Sequence, residues 1–129
     1  MSDLIAALDR ALAGYGEDFI LRRAVGTGTN IANVDVTCRG RIDAVTTEEI
    51  ASGIKATDLK IIFSPTQIDQ KGWPGGTVEK VPPFNIDQRI PRVNGPDKVI
   101  VRGQLRQVAF CNPVVVNGEL VRIELRVAG

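Results

Sequence analysis

The chain has 129 residues, of which 43% are hydrophobic and 24% charged, the composition of a single soluble domain spanning 1–129. It contains no histidine, two cysteines, and 16 basic against 15 acidic residues for a net charge of +1. That removes the commonest general base and metal ligand, leaves too few thiols for a four-cysteine zinc site, and argues against a dedicated polyanion binder. Aromatic residues are only 5%, a poor basis for stacking nucleobases. Composition favours a binding or assembly domain over an enzyme, and implies neither a cofactor nor a metal.

The start, Met1-Ser2-Asp3-Leu4-Ile5, lacks a basic leader and carries Asp3 and Asp9 within its apolar stretch, so it does not read as a signal peptide. Apolar runs such as Val114–Val116 fall far short of the roughly 18 residues of a membrane span. The expected setting is the cytoplasm, with Cys38 and Cys111 as free thiols.

Residues 2–14 read as a helix. Ser2 or Asp3 supplies the cap, Leu4, Ile5, Leu8 and Leu12 form one apolar stripe, and Gly14 and Gly16 end it. From Asp18 the period becomes two, with a strand around Phe19–Arg23 and a turn-rich Gly26–Asn30. In Val34–Val45 the residues Val34, Val36, Cys38, Gly40, Ile42 and Ala44 share one face, and Asp35, Thr37, Arg39, Arg41 and Asp43 the other. This is the pattern of a strand with one wet side. Thr46 and Glu49 form a capping box over a short helical turn. Leu59–Ser64 is a strand stopped by Pro65.

Residues 66–96 show no strand or helix period. They hold Trp73-Pro74-Gly75-Gly76, Val81-Pro82-Pro83-Phe84 and Asn94-Gly95-Pro96. A long loop of this kind tends to be functional, and it contains the only tryptophan. Val99–Val101 turns at Arg102-Gly103 into Leu105–Cys111, and Pro113 interrupts before Val114–Val116. Asn117-Gly118 marks a two-residue hairpin. In the final strand Val121, Ile123, Leu125 and Val127 are expected inward, and Leu120, Arg122, Glu124 and Arg126 outward. One helix plus about six short strands gives a mainly β (α+β) fold, a small sandwich or barrel.

Reactive constellations are thin. Gly26-x-Gly28 lacks the third glycine and the following helix of a dinucleotide site. No phosphate-binding loop or serine elbow occurs, and a triad needing histidine is impossible. Glu48 and Glu49 sit at a helix start, where carboxylates offset the helix dipole. The residues suited to contact are the stripe Leu4, Ile5, Leu8 and Leu12, the loop residues Trp73, Pro74, Gly75, Gly76 and Phe84, and Arg122 and Arg126. Tryptophan and arginine are common interface anchors, and an apolar stripe fills either its own sheet or a partner's groove.

The order of elements, with Asp18–Arg23, Val36–Ile42, Thr47–Ile54, Leu59–Phe63 and Asp97–Val108 before a terminal hairpin, resembles the head–tail joining (connector, or stopper) proteins of tailed bacteriophages and prophages. The nearest in kind are the lambda-type head–tail joining protein and the head–tail adaptors of siphophages. The resemblance implies a small β-sandwich or barrel that forms a homo-oligomeric ring. The ring lies between the portal or connector end of the capsid and the tail tube or terminator. The chain would be made in the host cytoplasm and reside in the virion neck. Residues 66–96 would supply a loop that reaches the channel and touches packaged DNA. The isolated chain is expected to be a monomer or weak oligomer. The alternatives are another neck or tail component, such as a tail terminator or minor tail protein, and a small nucleic-acid-binding barrel using Arg39, Arg41, Arg122 and Arg126.

Overall fold

The computed structural model describes residues 3–25, 29, 32–54, 57–73, 80–81, 86–87, 89–93 and 97–128. Helix α1 (Asp3–Tyr15) leads into β1 (Glu17–Val25) and β2 (Ala32–Ala44), then α2 (Thr47–Ala51), β3 (Leu59–Phe63) and α3 (Thr66–Lys71). After the two-residue strands β4 (Lys80–Val81) and β5 (Ile86–Asp87) come β6 (Asp97–Val101), β7 (Gln104–Val116) and β8 (Glu119–Val127). The six longer strands close into an antiparallel barrel in the order β1-β2-β3-β8-β7-β6, with β6 returning to β1, and β4 pairs with β5. The expected mainly β barrel with an N-terminal helix is the fold adopted.

Period-two patterning builds the barrel, because a strand with one apolar face must turn it inward. Phe19 and Leu21 of β1, Val36 and Cys38 of β2, Ile61 and Phe63 of β3, Val99 and Val101 of β6, and Ile123, Leu125 and Val127 of β8 fill the interior. The rings of Phe19 and Phe63 meet edge to face at 5.1 Å, a favoured aromatic geometry. Gly40 lets them approach: a Cβ there would lie 2.7 Å from Phe19 Cε1 and 3.1 Å from the Ile62 carbonyl oxygen. Gly40→Ala is therefore expected to overpack the core and cost about 1–3 kcal/mol in denaturant unfolding. A variant as stable as the parent would contradict this packing.

Two tight turns follow their sequence signals. Asn117 (φ 51) and Gly118 (φ 77) take the left-handed conformations of a two-residue hairpin, as do Arg102 (φ 51) and Gly103 (φ 80). Arg102 has no glycine-like freedom, but its guanidinium makes a bidentate pair with Glu17 at 2.9 Å. The Thr46–Glu49 capping box forms in full.

Helix α1 packs against β2, β3 and β8. Its Ile5 and Leu12 are buried and Leu8 packs on the core. Asp9 accepts hydrogen bonds from the hydroxyls of Ser64 and, at 2.6 Å, Thr66, tying the helix to the end of β3. Arg39 closes its C-terminus, with Nε donating to the Leu12 carbonyl at 3.1 Å. That carbonyl also accepts the Gly16 amide at 2.8 Å, and a cation at this end opposes the helix dipole.

Three local expectations need correction. The stretch 66–96 is not structureless throughout: it opens with α3, whose single buried apolar residue is Ile68, and one apolar position in a turn and a half of helix gives no detectable period. Strand β7 runs unbroken through Pro113, which pairs with Ile123. Beyond Gln107 it pairs with β8 alone among the described residues, and an edge tolerates proline's missing donor. Leu120 is buried, because a register shift pairs Val115 with Leu120 and Val114 with Arg122. Val121 is thus an extra residue, and the bulge resets the alternation.

Candidate functional site

The terminal hairpin outgrows the barrel. Among the described residues, β3 pairs with β8 only from Ile123 to Val127, and β6 with β7 only from Gln104 to Gln107. The tip of β7–β8 therefore extends past both neighbours, beside the N-terminal half of α1. Between them lies an apolar groove of about 230 Å³ lined by Leu4, Leu8, Val114, Val116, Val121 and Arg122. Leu4 is 53% exposed, and Val115 and Val116 at the tip are 55% and 37% exposed. Such a rim of large apolar side chains is a contact surface in chemical character.

Three of the sequence-predicted contact residues, Leu4, Leu8 and Arg122, thus come together. Ile5 and Leu12 belong to the interior instead, the other side of the same amphipathic helix. Arg126 lies elsewhere, in a depression of about 250 Å³ shared with Lys60, Glu49, Phe110 and Glu124. Its guanidinium stands 5.7 Å from the Phe110 ring centroid and 3.7 Å from Asp58. Pro74, Gly75, Gly76 and Phe84 lie outside the described residues.

Trp73 is no surface anchor here. It is 3% exposed and part of the core. Its Nε1–H donates to the Val34 carbonyl at 2.8 Å, and its ring carries the Arg23 guanidinium at 4.5 Å. Arg23 in turn makes a bidentate, buried pair with Asp97, at 2.7 and 2.8 Å. Asp97 also accepts the Arg92 amide at 2.6 Å, and Arg23 reaches the Ile90 carbonyl at 3.2 Å. This network of β1, β6, Trp73 and residues 90–92 was invisible in the sequence, where Arg23 and Asp97 stand 74 positions apart.

The four arginines suited to a nucleic-acid surface are each engaged by a carboxylate. Arg39 pairs with Asp18 (3.3 Å), Arg41 with Asp43 (2.9 Å), Arg122 with Glu124 (2.9 Å) and Arg126 with Asp58 (3.7 Å). Burial pushes the Cys38 thiol up to about 12, and burial with the Asp97 charge pushes Cys111 up to about 11. Both are poor nucleophiles near neutral pH. Among the described residues no cluster of three or more cysteine, aspartate or glutamate side chains is placed to hold a metal ion, and no helix is long and apolar enough to cross a membrane.

The Glu49 carboxyl is held at about 2, by the Lys60 ammonium first and then by the amide and hydroxyl of Thr46. A depressed acid stabilises the fold above its ordinary value near 4.5 and loses that contribution as pH falls toward 2. Lys60→Met should move the Glu49 midpoint toward 4.5 in a carboxyl NMR titration. A midpoint that stays near 2 would contradict the leading role of Lys60.

Compared with known protein families and with curated proteins, the sequence matches no family model and no curated relative.

Proposed function

We propose that the chain is a structural neck protein of a tailed phage or prophage, joining the portal end of the filled head to the tail as part of a ring. The observation that carries the reading is the projecting β7–β8 hairpin with the apolar groove it forms against α1. A barrel needs neither feature for its own closure, and together they offer an adjoining subunit both a ridge and a hollow. The order of elements that resembles head–tail joining proteins supports the same reading along nearly the whole chain. The arginine pairings weigh against the nucleic-acid barrel to the extent that the carboxylate beside each guanidinium offsets its charge and repels a phosphate.

The partners on this reading are a portal or connector protein on the head side and the tail tube or tail terminator on the other. Complementation tests it. Purified chain added to heads and tails made without it should restore infectious particles. Leu4→Asp and Val116→Asp, which place a charge at the groove rim, should reduce that restoration at least tenfold while keeping parental circular dichroism. Full restoration by both variants would sink the role of the groove. Failure of the unaltered chain to join heads to tails would sink the assignment. Shortening the 66–96 segment to probe DNA retention must spare Trp73, because its side chain is part of the core.

A further inference from the structure

The chain leaves the barrel at the end of β3 and rejoins it at β6. Among the described residues between them none enters the barrel sheet, since β4 and β5 pair with each other. Trp73 ends the outgoing run, after α3 has been fixed by Ile68 in the core and by Thr66 on Asp9. Arg89, Ile90 and Arg92 belong to the return. Arg23 holds both runs. Its guanidinium lies 4.5 Å from the Trp73 ring centroid and donates to the Ile90 carbonyl at 3.2 Å. Its bidentate partner Asp97 accepts the Arg92 amide at 2.6 Å. Arg89 adds a tie back to α3, through Asp69 at 3.1 Å. Arg23 and Asp97 are themselves register partners at the end of the β1–β6 ladder. One ion pair on the barrel wall therefore fastens two stretches of chain that are distant in sequence.

We propose that Trp73 and residues 89–92 form a latch that comes off the barrel as one unit while the six-stranded wall stays closed. The coupling follows from burial. With Trp73 over it, the pair is nearly dry, at 4% exposure for Arg23 and 0% for Asp97. Hydrogen bonds to charged groups are strong in such surroundings and weaken once water reaches them. Withdrawing Trp73 lets water compete for the Ile90 carbonyl and the Arg92 amide. Withdrawing residues 90–92 removes those two bonds, and the Ile90 packing on the core, from the same ion pair. Each step lowers the cost of the other. The latch opens first because side-chain bonds attach it, whereas backbone ladders hold the strands on both sides, and segments tied on in the first way open at lower free energy than core strands. Opening leaves the β1–β6 ladder in place and puts Arg23 and Asp97 on a wetted wall, where both charges are hydrated. The latch is a property of the folded chain and does not depend on the neck assignment.

Native-state hydrogen exchange of the full chain in rising urea tests it. The indole N–H of Trp73, the only tryptophan, reports one side of the latch, and the Arg92 amide the other. Both should open with the same equilibrium constant and the same urea dependence, about tenfold or more above the slowest amides of β1 and β8. Arg23→Lys keeps the charge but loses the bidentate fork, and should speed both reporters by one common factor of about ten or more. Trp73→Phe should speed the Arg92 amide by a similar factor, although Arg92 lies on the other run. Asp35→Asn, which breaks the exposed neighbouring pair with Arg22, should leave both reporters unchanged. Reporters that open with different constants or urea dependences, reporters that open only with the whole barrel, or an Arg92 amide unmoved by Trp73→Phe would each overturn the proposal. None of these results alters the outcome of the complementation experiment.

Discussion

Asp97→Asn is expected to lower the stability of the chain by about 3–5 kcal/mol, the usual cost of leaving a buried charge without its partner. Both side chains of the pair are nearly inaccessible, at 4% for Arg23 and 0% for Asp97. The guanidinium would keep its charge, since arginine does not deprotonate in proteins. It would still have the Ile90 carbonyl and the Trp73 face beside it. The same ion pair is not a large net asset: replacing both members with apolar residues, Arg23→Met with Asp97→Leu, should recover part of the loss. Recovery stays partial because Asp97 also accepts the Arg92 amide. Urea unfolding followed by circular dichroism measures all three chains. A single variant within about 1 kcal/mol of the parent would show that the pair is solvated in solution.

Trp73→Ala should cost a similar amount, about 3–5 kcal/mol, through a cavity in the barrel wall and an orphaned Val34 carbonyl. Trp73→Phe keeps most of the volume and loses the indole donor, so its cost should be smaller. Because Trp73 and Asp97 both hold Arg23, their effects should not add. A double-mutant cycle showing simple additivity would contradict a shared network. A functional defect in Trp73→Ala would therefore arrive together with a fold defect, whereas Leu4→Asp should separate the two.

The parts of the fold visible in the sequence were those written in local patterns. Alternation along Val34–Ile42 and Val121–Val127, the Thr46–Glu49 capping box and the Asn117-Gly118 turn each report on neighbours a few residues away, and each formed as read, whereas Ala44, expected inward, is exposed and Val45 is buried. What stayed hidden depends on contacts distant in sequence. The tryptophan within a proline- and glycine-rich stretch looked like a surface anchor, yet it fills the core because Arg23 and the Val34 carbonyl give its polar edge a place. Helix α3 escaped notice because it presents only Ile68 to the interior. The inward turn of Leu120 needed the bulge at Val121, which no alternation rule contains.

The candidate contact surface was half visible. The stripe of α1 was plain, but spacing alone did not say which residues turn inward. The barrel takes Ile5 and Leu12 and leaves Leu4 at the groove. Arg122 and Arg126 share a strand face in the sequence, but α1 lies beside the first and Phe110 under the second, so they serve separate depressions.

The most direct measurement is electron microscopy of particles from a phage or prophage lacking this chain alone. DNA-filled heads beside complete, unattached tails are the expected result. Normal particles, or full heads bearing tails of abnormal length, would contradict it, the latter pointing instead to a component that terminates or builds the tail.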